Sequence, residues 1–361
     1  MVGHVSMRGV NLWAQATSPN VELVATILSA KGDTMVSQAD AISHPVFRTV
    51  TFDLGGLEPG TSYKCLVSAE GQNIADTLNF ETQPLWDFRT EPPAFQVLTG
   101  SCAYVNEEVY DRPGKPYGGD YQIFEAMAQE EPDMMLWLGD NVYLREVDFQ
   151  SIHGYAHRYS HMRALPELQD LLAACPHYAI WDDHDYGEND GGQYFVHKDY
   201  SGQLFKEFFA QRSDLKWPAK RGTYHASIRM LSGHKVQLIG LDTRSFRSPL
   251  TKTPTRNQPG AERYVPSEDA DQSMLGEAQW QWLEKQLQAS ADLRIVMSSI
   301  QVLAEGHGWE RWGNLPNERA RLLKAITERA GGRVLFVSGD RHVGGAYQTS
   351  VGGETLYEIT S

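Results

Sequence analysis

Four short stretches of this 361-residue chain crowd metal-ligand side chains onto small-residue loops. They are Gly100-Ser101-Cys102-Ala103-Tyr104, Gly139-Asp140-Asn141-Val142-Tyr143, Asp182-Asp183-His184-Asp185 and Ser338-Gly339-Asp340-Arg341-His342. Each follows an apolar run of strand type, ending at Leu98, Leu138, Trp181 and Val337. In open α/β sheets, ligands bind beyond the carboxyl ends of the strands. Cys, Tyr, Asp and His on four separate strand ends are hard to explain by packing. Clustered carboxylates would repel one another without cations between them. The chemistry on offer is therefore metal binding.

The elements that position these loops follow from the hydrophobic rhythm. Met134 to Leu138 is an uninterrupted apolar run, as in strands buried on both faces, and Tyr178 to Trp181, Val236 to Leu241, Leu293 to Met297 and Val334 to Val337 read as further, mainly apolar strands. Helical periods cover Asp120 to Glu130, much of Arg145 to Ala174, and Glu277 to Gln288. Strands alternating with helices predict an α/β fold. The first 84 residues differ: short alternating strands, a Pro59-Gly60 turn, then Tyr63 opening a further strand. That turn and tyrosine suggest the tyrosine corner of Ig-like sandwiches, and the segment resembles a fibronectin III-like β-sandwich domain. The expected domains are 1–84 for that sandwich, 85–93 for a Pro-rich linker and 94–361 for the larger domain.

Composition narrows the partners. The chain has 32 Lys plus Arg against 46 Asp plus Glu, a formal charge of −14. That disfavours an extended nucleic-acid track built on Lys and Arg. No run of about 18 apolar residues predicts a transmembrane segment. The N-terminus lacks the basic and apolar regions of a signal peptide. Tyr357 to Ser361 reads as a strand cut short. Cys65, Cys102 and Cys175 are too few for a disulfide framework. Cys65 and Cys175 are taken as structural, and Cys102 as a ligand.

The order and spacing of Gly-Asp-Asn-Val-Tyr, Trp-Asp-Asp-His-Asp and Ser-Gly-Asp-Arg-His resemble the PhoD-like alkaline phosphatase D branch of the calcineurin-like metallophosphatases. The resemblance covers nearly the whole chain. It implies a metallophosphatase-type α/β/β/α sandwich. It also implies a bridging role between two metals for Asp140 and a ligand role for Asp183. His184 would stay off the metals, as proton donor to the leaving group or holder of the phosphate. Asp340 and His342 match the last motif. Cys102 stands near the first-strand motif and Tyr143 looks like a phenolate ligand, both as in this branch. The resemblance implies Fe³⁺ with Ca²⁺, other divalent cations also being compatible. The residues alone give only a softer site (Cys102, Tyr143, Asp140, His342) beside a harder one (Asp140, Asp183, Asp340).

Several residues carry two readings. Asn189 is a carbonyl ligand of the hard site or a turn residue. Arg341 meets substrate phosphate bidentately or faces outward. Asp182 competes with Asp183 for the metal, the motif register favouring Asp183 and leaving Asp182 to orient a neighbour, and Asp185 is expected to support the His184 side chain from outside the ligand set. Asp242 and Arg244 are expected to pair and brace the sheet. His153, His157 and His161 share a helix face read as solvated or substrate-facing rather than as a metal ladder. The loop from Gly306 to Asn314 suggests a lid or substrate wall. Either His307 substitutes for a missing histidine ligand or the second metal has fewer nitrogen ligands, and the latter is favoured.

The expected activity is hydrolysis of small phosphomonoesters or phosphodiesters through a hydroxide bridging two metals. An alternative keeps the large domain as a silent scaffold and gives the β-sandwich a role in adhesion or glycan binding. The resemblance also implies an exported, periplasmic or extracellular protein.

Overall fold

The computed structural model describes residues 1–42, 44–75, 77–86, 88–90, 94–209, 222–231 and 234–361. It is a mixed α/β fold. First come β1 (Val2–Val5), β2 (Gly9–Gln15), β3 (Glu22–Leu28), β4 (Thr34–Ala41), β5 (Thr49–Gly55), β6 (Ser62–Ala69), β7 (Gln72–Asn73) and β8 (Leu78–Glu81). They form two antiparallel sheets, β1-β2-β5 and β4-β3-β6-β7, with β8 also on β6. Alternation fixes which residues turn inward. Leu23, Ala25 and Ile27 from β3 meet Leu12, Phe52 and Leu54 from the other sheet in one core with Tyr63 and Phe80. The Tyr63 hydroxyl accepts the Glu58 N–H at 2.9 Å and pins the Pro59-Gly60 turn. Trp13 Nε1–H donates to the Glu207 carbonyl at 2.8 Å, seating these sheets on the rest of the chain.

The larger part runs β9 (Val97–Gly100), α1 (Gln122–Gln129), β10 (Met134–Leu138), α2 (Ile152–Arg163), α3 (Pro166–Ala174), β11 (His177–Ile180), α4 (Asp183–Tyr186) and α5 (Lys198–Phe209). It continues with β12 (His225–Leu231), β13 (His234–Gly240), α6 (Gly276–Gln286), β14 (Leu293–Ser298), α7 (Pro316–Arg329), β15 (Arg333–Ser338), β16 (Gly345–Val351) and β17 (Glu354–Thr360). One sheet is β11-β10-β9, all parallel; the other is β12-β13-β14-β15-β17-β16, parallel in its middle and antiparallel at both edges.

β10 shows why its run of apolar residues is unbroken. Met134, Leu136 and Leu138 face a core shared with Val236, Leu238, Ile295, Met297 and Val337 of the second sheet. Met135 and Trp137 face the opposite way, into a core with helical residues such as Phe124, Leu168 and Phe205. Each such side chain contributes about 1.5–3 kcal/mol on burial. The second sheet does the same, turning Ile239, Val296 and Phe336 toward Trp280, Leu322 and Ile326.

The helical region predicted for Arg145 to Ala174 is two helices. Pro166 lacks an N–H and fits only the first turn, so it opens α3. Residues 83–86 and 88–90 carry no strand or helix, while residues 87 and 91–93 of the expected linker lie outside the described residues. Among the described residues no helix is long and apolar enough to cross a membrane.

Candidate metal centre

The four ligand-bearing loops all leave the carboxyl ends of parallel strands β9, β10, β11 and β15. They are tied to one another by main chain. The Cys102 N–H donates to the Gly139 carbonyl at 3.1 Å, and the Ala103 N–H to the Asp140 carbonyl at 2.9 Å. Gly139 must be glycine: φ is +105°, and a Cβ there would lie 2.6 Å from that of Asp182. Cys102 (φ +58°), Asp140 (+52°), Asp340 (+68°) and His342 (+54°) all hold left-handed backbone. Such strain, about 1–3 kcal/mol per residue, persists where surrounding structure over-determines it, commonly at functional sites.

Two groups share Asp140. In the first, one potential ligand atom each from Cys102, Asp140 and His342 lies within 4.8 Å of the others. The Tyr143 hydroxyl joins it, 3.1 Å from Asp140 Oδ2 and 3.3 Å from His342 Nε2. Cys102 Sγ is 3.8 Å from Asp140 Oδ2. In the second group Asp140, Asp183 and His184 converge within the same limit. The His184 N–H donates to Asp140 Oδ1 at 3.1 Å. The His184 ring lies 4.3 Å from that of Tyr143 and is half-buried. A third group joins Asp183 to Asp190 and Glu310.

Electrostatics suit a cation. Burial and the neighbouring Asp183, Asp182, Asp185 and Asp340 push the Asp140 carboxyl well up. Burial, Asp182, Glu310 and Asp183 do the same to Asp340. Burial raises the Cys102 thiol and the Tyr143 phenol, with Asp140 adding to both. Burial also pushes Asp183 up, but Arg244, His184 and the Asp190 N–H at 2.7 Å outweigh it, and its carboxyl titrates at about 2. Asp183 Oδ1 and Asp340 Oδ2 are shielded from solvent and accept no hydrogen bond. An unsatisfied buried oxygen costs about 1–3 kcal/mol. Bound cations would satisfy these oxygens and offset the mutual repulsion, so the donor set fits metal binding.

Around the cluster, ion pairs fix the loops. Arg244, fully buried, pairs with Asp182 at 2.5 Å and with Glu310 at 2.7 Å. Arg247 pairs with Glu310 at 2.6 Å. The Ser299 hydroxyl donates to Asp182 Oδ1. The expected Asp242–Arg244 side-chain pair is absent. Asp242 instead accepts from Trp181 Nε1, the Ser245 hydroxyl and several backbone N–H groups. Asp185 does not orient His184; its carboxylate accepts the N–H groups of Asn141, Val142 and Asp182.

Cys102, Asp140, Tyr143, Asp183, His184 and His342 thus come together, and the Asp340 carboxyl feels the charges of Asp182 and Asp183. Asn189 is exposed and lines a cleft of about 460 Å³ with Asp190, Arg247 and Arg263. Arg341 lies beside Asp340, with its NH1 3.7 Å from Asp340 Oδ2. His307 is engaged elsewhere: Nε2 pairs with Gln301 Oε1 at 2.9 Å, and Nδ1 accepts the Trp309 N–H. His157 pairs with Glu107 and His161 with the Asn106 carbonyl; neither is in a metal group among the described residues. The residues that sequence reasoning missed are Asp190 and Glu310. Asp190 sits in a Gly-rich turn signal and Glu310 in the aromatic loop after β14, and neither context marks a ligand.

The profile of the PhoD-like phosphatase family matches residues 97–358. Alkaline phosphatase D of Bacillus subtilis (strain 168) is 23% identical over 304 residues, covering 73% of this chain and 49% of that protein. The chain therefore spans about half the length of that curated relative. A solved structure of PhoD superposes with a TM-score of 0.80 at 19% identity, covering 99% of this chain and 75% of that one.

Proposed function

The chain belongs to the PhoD-like phosphatase family, and from that premise we propose that it hydrolyses phosphomonoesters or phosphodiesters at a centre of two metal ions. The observation that carries the reading is Asp140. Its Oδ2 lies beside the Cys102 thiol and the Tyr143 hydroxyl, while its Oδ1 accepts the backbone N–H of His184, the residue after Asp183. A carboxylate with one oxygen toward each of two ligand groups suits a bridge. Cys102, Tyr143, Asp140 and His342, the softer donor set, would hold the more strongly Lewis-acidic ion, Fe³⁺ in this reading. Asp140, Asp183 and Asp340, with Asn189 at the rim, would hold the harder one, Ca²⁺ or another divalent cation. When bound, such a pair supplies Lewis acidity that activates water and neutralises phosphoryl charge.

The chain's own groups do the rest. Arg341 presents donors to the phosphoryl oxygens, for which a guanidinium is matched bidentately. His184 is held by its backbone and by Tyr143, leaving its ring to give a proton to the departing alcohol. We assign residues 1–84 to a fibronectin III-like β-sandwich, 85–93 to a linker and 94–361 to a metallophosphatase α/β/β/α sandwich. The two cores on either face of the paired sheets support that layering. A set of ligand side chains this complete argues against a silent scaffold.

The test is metal analysis with a panel of monoester and diester substrates. Purified protein is expected to carry two metals per chain and lose turnover on chelation, and Asp140→Ala to lose both ions. Protein that holds no metal and ignores a chelator would sink the reading. His184→Ala should keep its metals and turn over far more slowly.

A further inference from the structure

We propose that Trp309 is a positioning residue that holds the Arg341 guanidinium at the mouth of the cluster, ready for the phosphoryl oxygens of the substrate. This rests on the phosphoesterase reading above, and it adds a residue outside the ligand set. The Arg341 guanidinium carbon lies 5.0 Å from the Trp309 ring centroid. A second cation shares the ring: the Arg263 guanidinium is 5.4 Å away. Both distances are within the range in which an aromatic face attracts a cation.

The two arginines differ in what else they hold. Arg263 is committed, 2.5 Å from Asp190 Oδ2, which also accepts the Tyr264 hydroxyl at 2.7 Å. Arg341 is not. Its acidic neighbour Asp340 is 3.7 Å away, beyond hydrogen-bonding distance. Among the described residues its guanidinium has no hydrogen-bond acceptor, so its five N–H donors remain for a ligand. The backbone aims it: Asp340 and His342 on either side both hold left-handed φ. The ring then restrains the side chain that the backbone only points.

The ring itself is fixed from below. The next residue, Glu310, is 3% exposed and held by Arg244 and Arg247 at 2.7 and 2.6 Å. The Trp309 N–H donates to His307 Nδ1 at 3.2 Å. A free arginine loses rotamer freedom when a ligand immobilises it. Pre-placement on Trp309 lowers that cost before substrate arrives. The effect belongs to binding, so it reads out in KM and in phosphate affinity rather than in kcat.

The experiment is a double-mutant cycle on the metal-loaded protein. Inorganic phosphate binding is followed by calorimetry, and aryl phosphate hydrolysis by steady-state kinetics. Trp309→Leu is expected to weaken phosphate binding and raise KM by about three- to tenfold, with kcat within about twofold and metal content unchanged. Trp309→Phe, which keeps a weaker face, should fall between. Arg341→Gln alone and Arg341→Gln with Trp309→Leu should bind phosphate equally weakly. Unchanged phosphate affinity in Trp309→Leu, or losses that simply add in the double variant, would overturn the proposal. Should the leucine variant fail to fold, the same cycle run with Trp309→Phe decides. If the wild type binds phosphate but hydrolyses no ester, the phosphoesterase reading falls and the binding cycle still judges Trp309. A wild type that binds no phosphate overturns the Trp309 proposal itself.

Discussion

Asp185 Oδ1 accepts the Asn141 N–H at 2.9 Å, so a carboxylate from α4 grips the backbone of the loop that carries Asp140. The same oxygen takes the Val142 N–H at 3.2 Å, and Oδ2 takes that of Asp182 at 3.0 Å. The Asn141 side chain returns the tie by donating to the Ile180 carbonyl at 2.9 Å. The loops that carry Asp140 and Asp183 are thereby tied into one unit, and the residue responsible is itself outside the candidate ligand groups.

Asp185→Ala leaves three buried N–H groups without an acceptor. At about 1–3 kcal/mol for each unsatisfied donor, with partial relaxation, the expected loss is about 2–5 kcal/mol. Asp185→Asn should recover part of it, because its carbonyl still accepts. Chemical denaturation of the three proteins checks this, and metal analysis should show the alanine variant depleted although no ligand was changed. An alanine variant as stable as the wild type would mean that the Asp140 loop is held by something else.

Tyr143→Phe removes a hydroxyl that serves only the Cys102 and His342 side of Asp140. It is expected to lower occupancy of one ion while the other stays. Asp140→Ala should empty both, since its two oxygens face both groups. Mass-spectrometric metal counting separates the two patterns. Equal loss of both ions in Tyr143→Phe would contradict the division into two groups.

The four strand-end motifs are legible in the sequence because each is local. An apolar run sets a buried strand, and the next few residues must emerge at its carboxyl end. Asp190 and Glu310 are not legible, because they meet at Asp183 only through a turn and through a loop more than a hundred residues away in sequence. Arg244 illustrates the same limit. Sequence proximity favours Asp242 as its partner, whereas the fold delivers Asp182 and Glu310. Strand β16 is hidden for a different reason. Gly345 to Val351 sits at the sheet edge with alternating half-buried and exposed residues, so no apolar run marks it.

Gly139→Ala tests close approach against conformational strain alone. Its new Cβ would collide with Asp182 Cβ at 2.6 Å, whereas Gly32, also at positive φ (+87°), has nothing within 4 Å. Gly32→Ala should cost about 1–2 kcal/mol from backbone strain. Gly139→Ala should cost clearly more, by overpacking of about 1–3 kcal/mol, and should shift the Asp140 loop. Thermal unfolding of the pair, with phosphatase assays, provides the comparison. Equal losses would show that the contact at Asp182 relaxes freely.

His177 predicts an acid limb in stability. Its Nδ1 accepts the Trp137 Nε1–H at 2.9 Å, and its Nε2 faces the Leu171 carbonyl at 3.0 Å, an arrangement that needs the neutral ring. Burial, chiefly, and the positive charge of Arg163 lower its pKa to about 3. The unfolded chain binds the proton near 6.5, so above that pH the contribution is fully present. It is lost as pH falls from about 6.5 toward 3, at up to about 1.4 kcal/mol per pH unit. Burial lowers His225 to about 4, which adds to the slope over the upper part of the same window. His177→Gln should flatten the slope by about one proton between pH 6 and 4, as read from denaturant unfolding across pH. A variant with the wild-type slope would place the acid sensitivity elsewhere.

Glu310 sits where two buried arginines meet. It is 3% exposed, and its partners Arg244 and Arg247 are 0% and 1% exposed. Arg244 keeps Asp182 as a second counter-ion, but Arg247 has no carboxylate partner besides Glu310 among the described residues. Glu310→Gln keeps the shape and removes the charge. Breaking a buried pair by removing one partner costs about 3–5 kcal/mol, because a charge is left uncompensated. The expected result is a loss in that range by denaturant unfolding, with Arg247→Met in the same background recovering part of it. A fully additive double variant would mean that the Glu310–Arg247 contact carries no coupling energy, and that the loop bearing Trp309 is anchored by Arg244 alone.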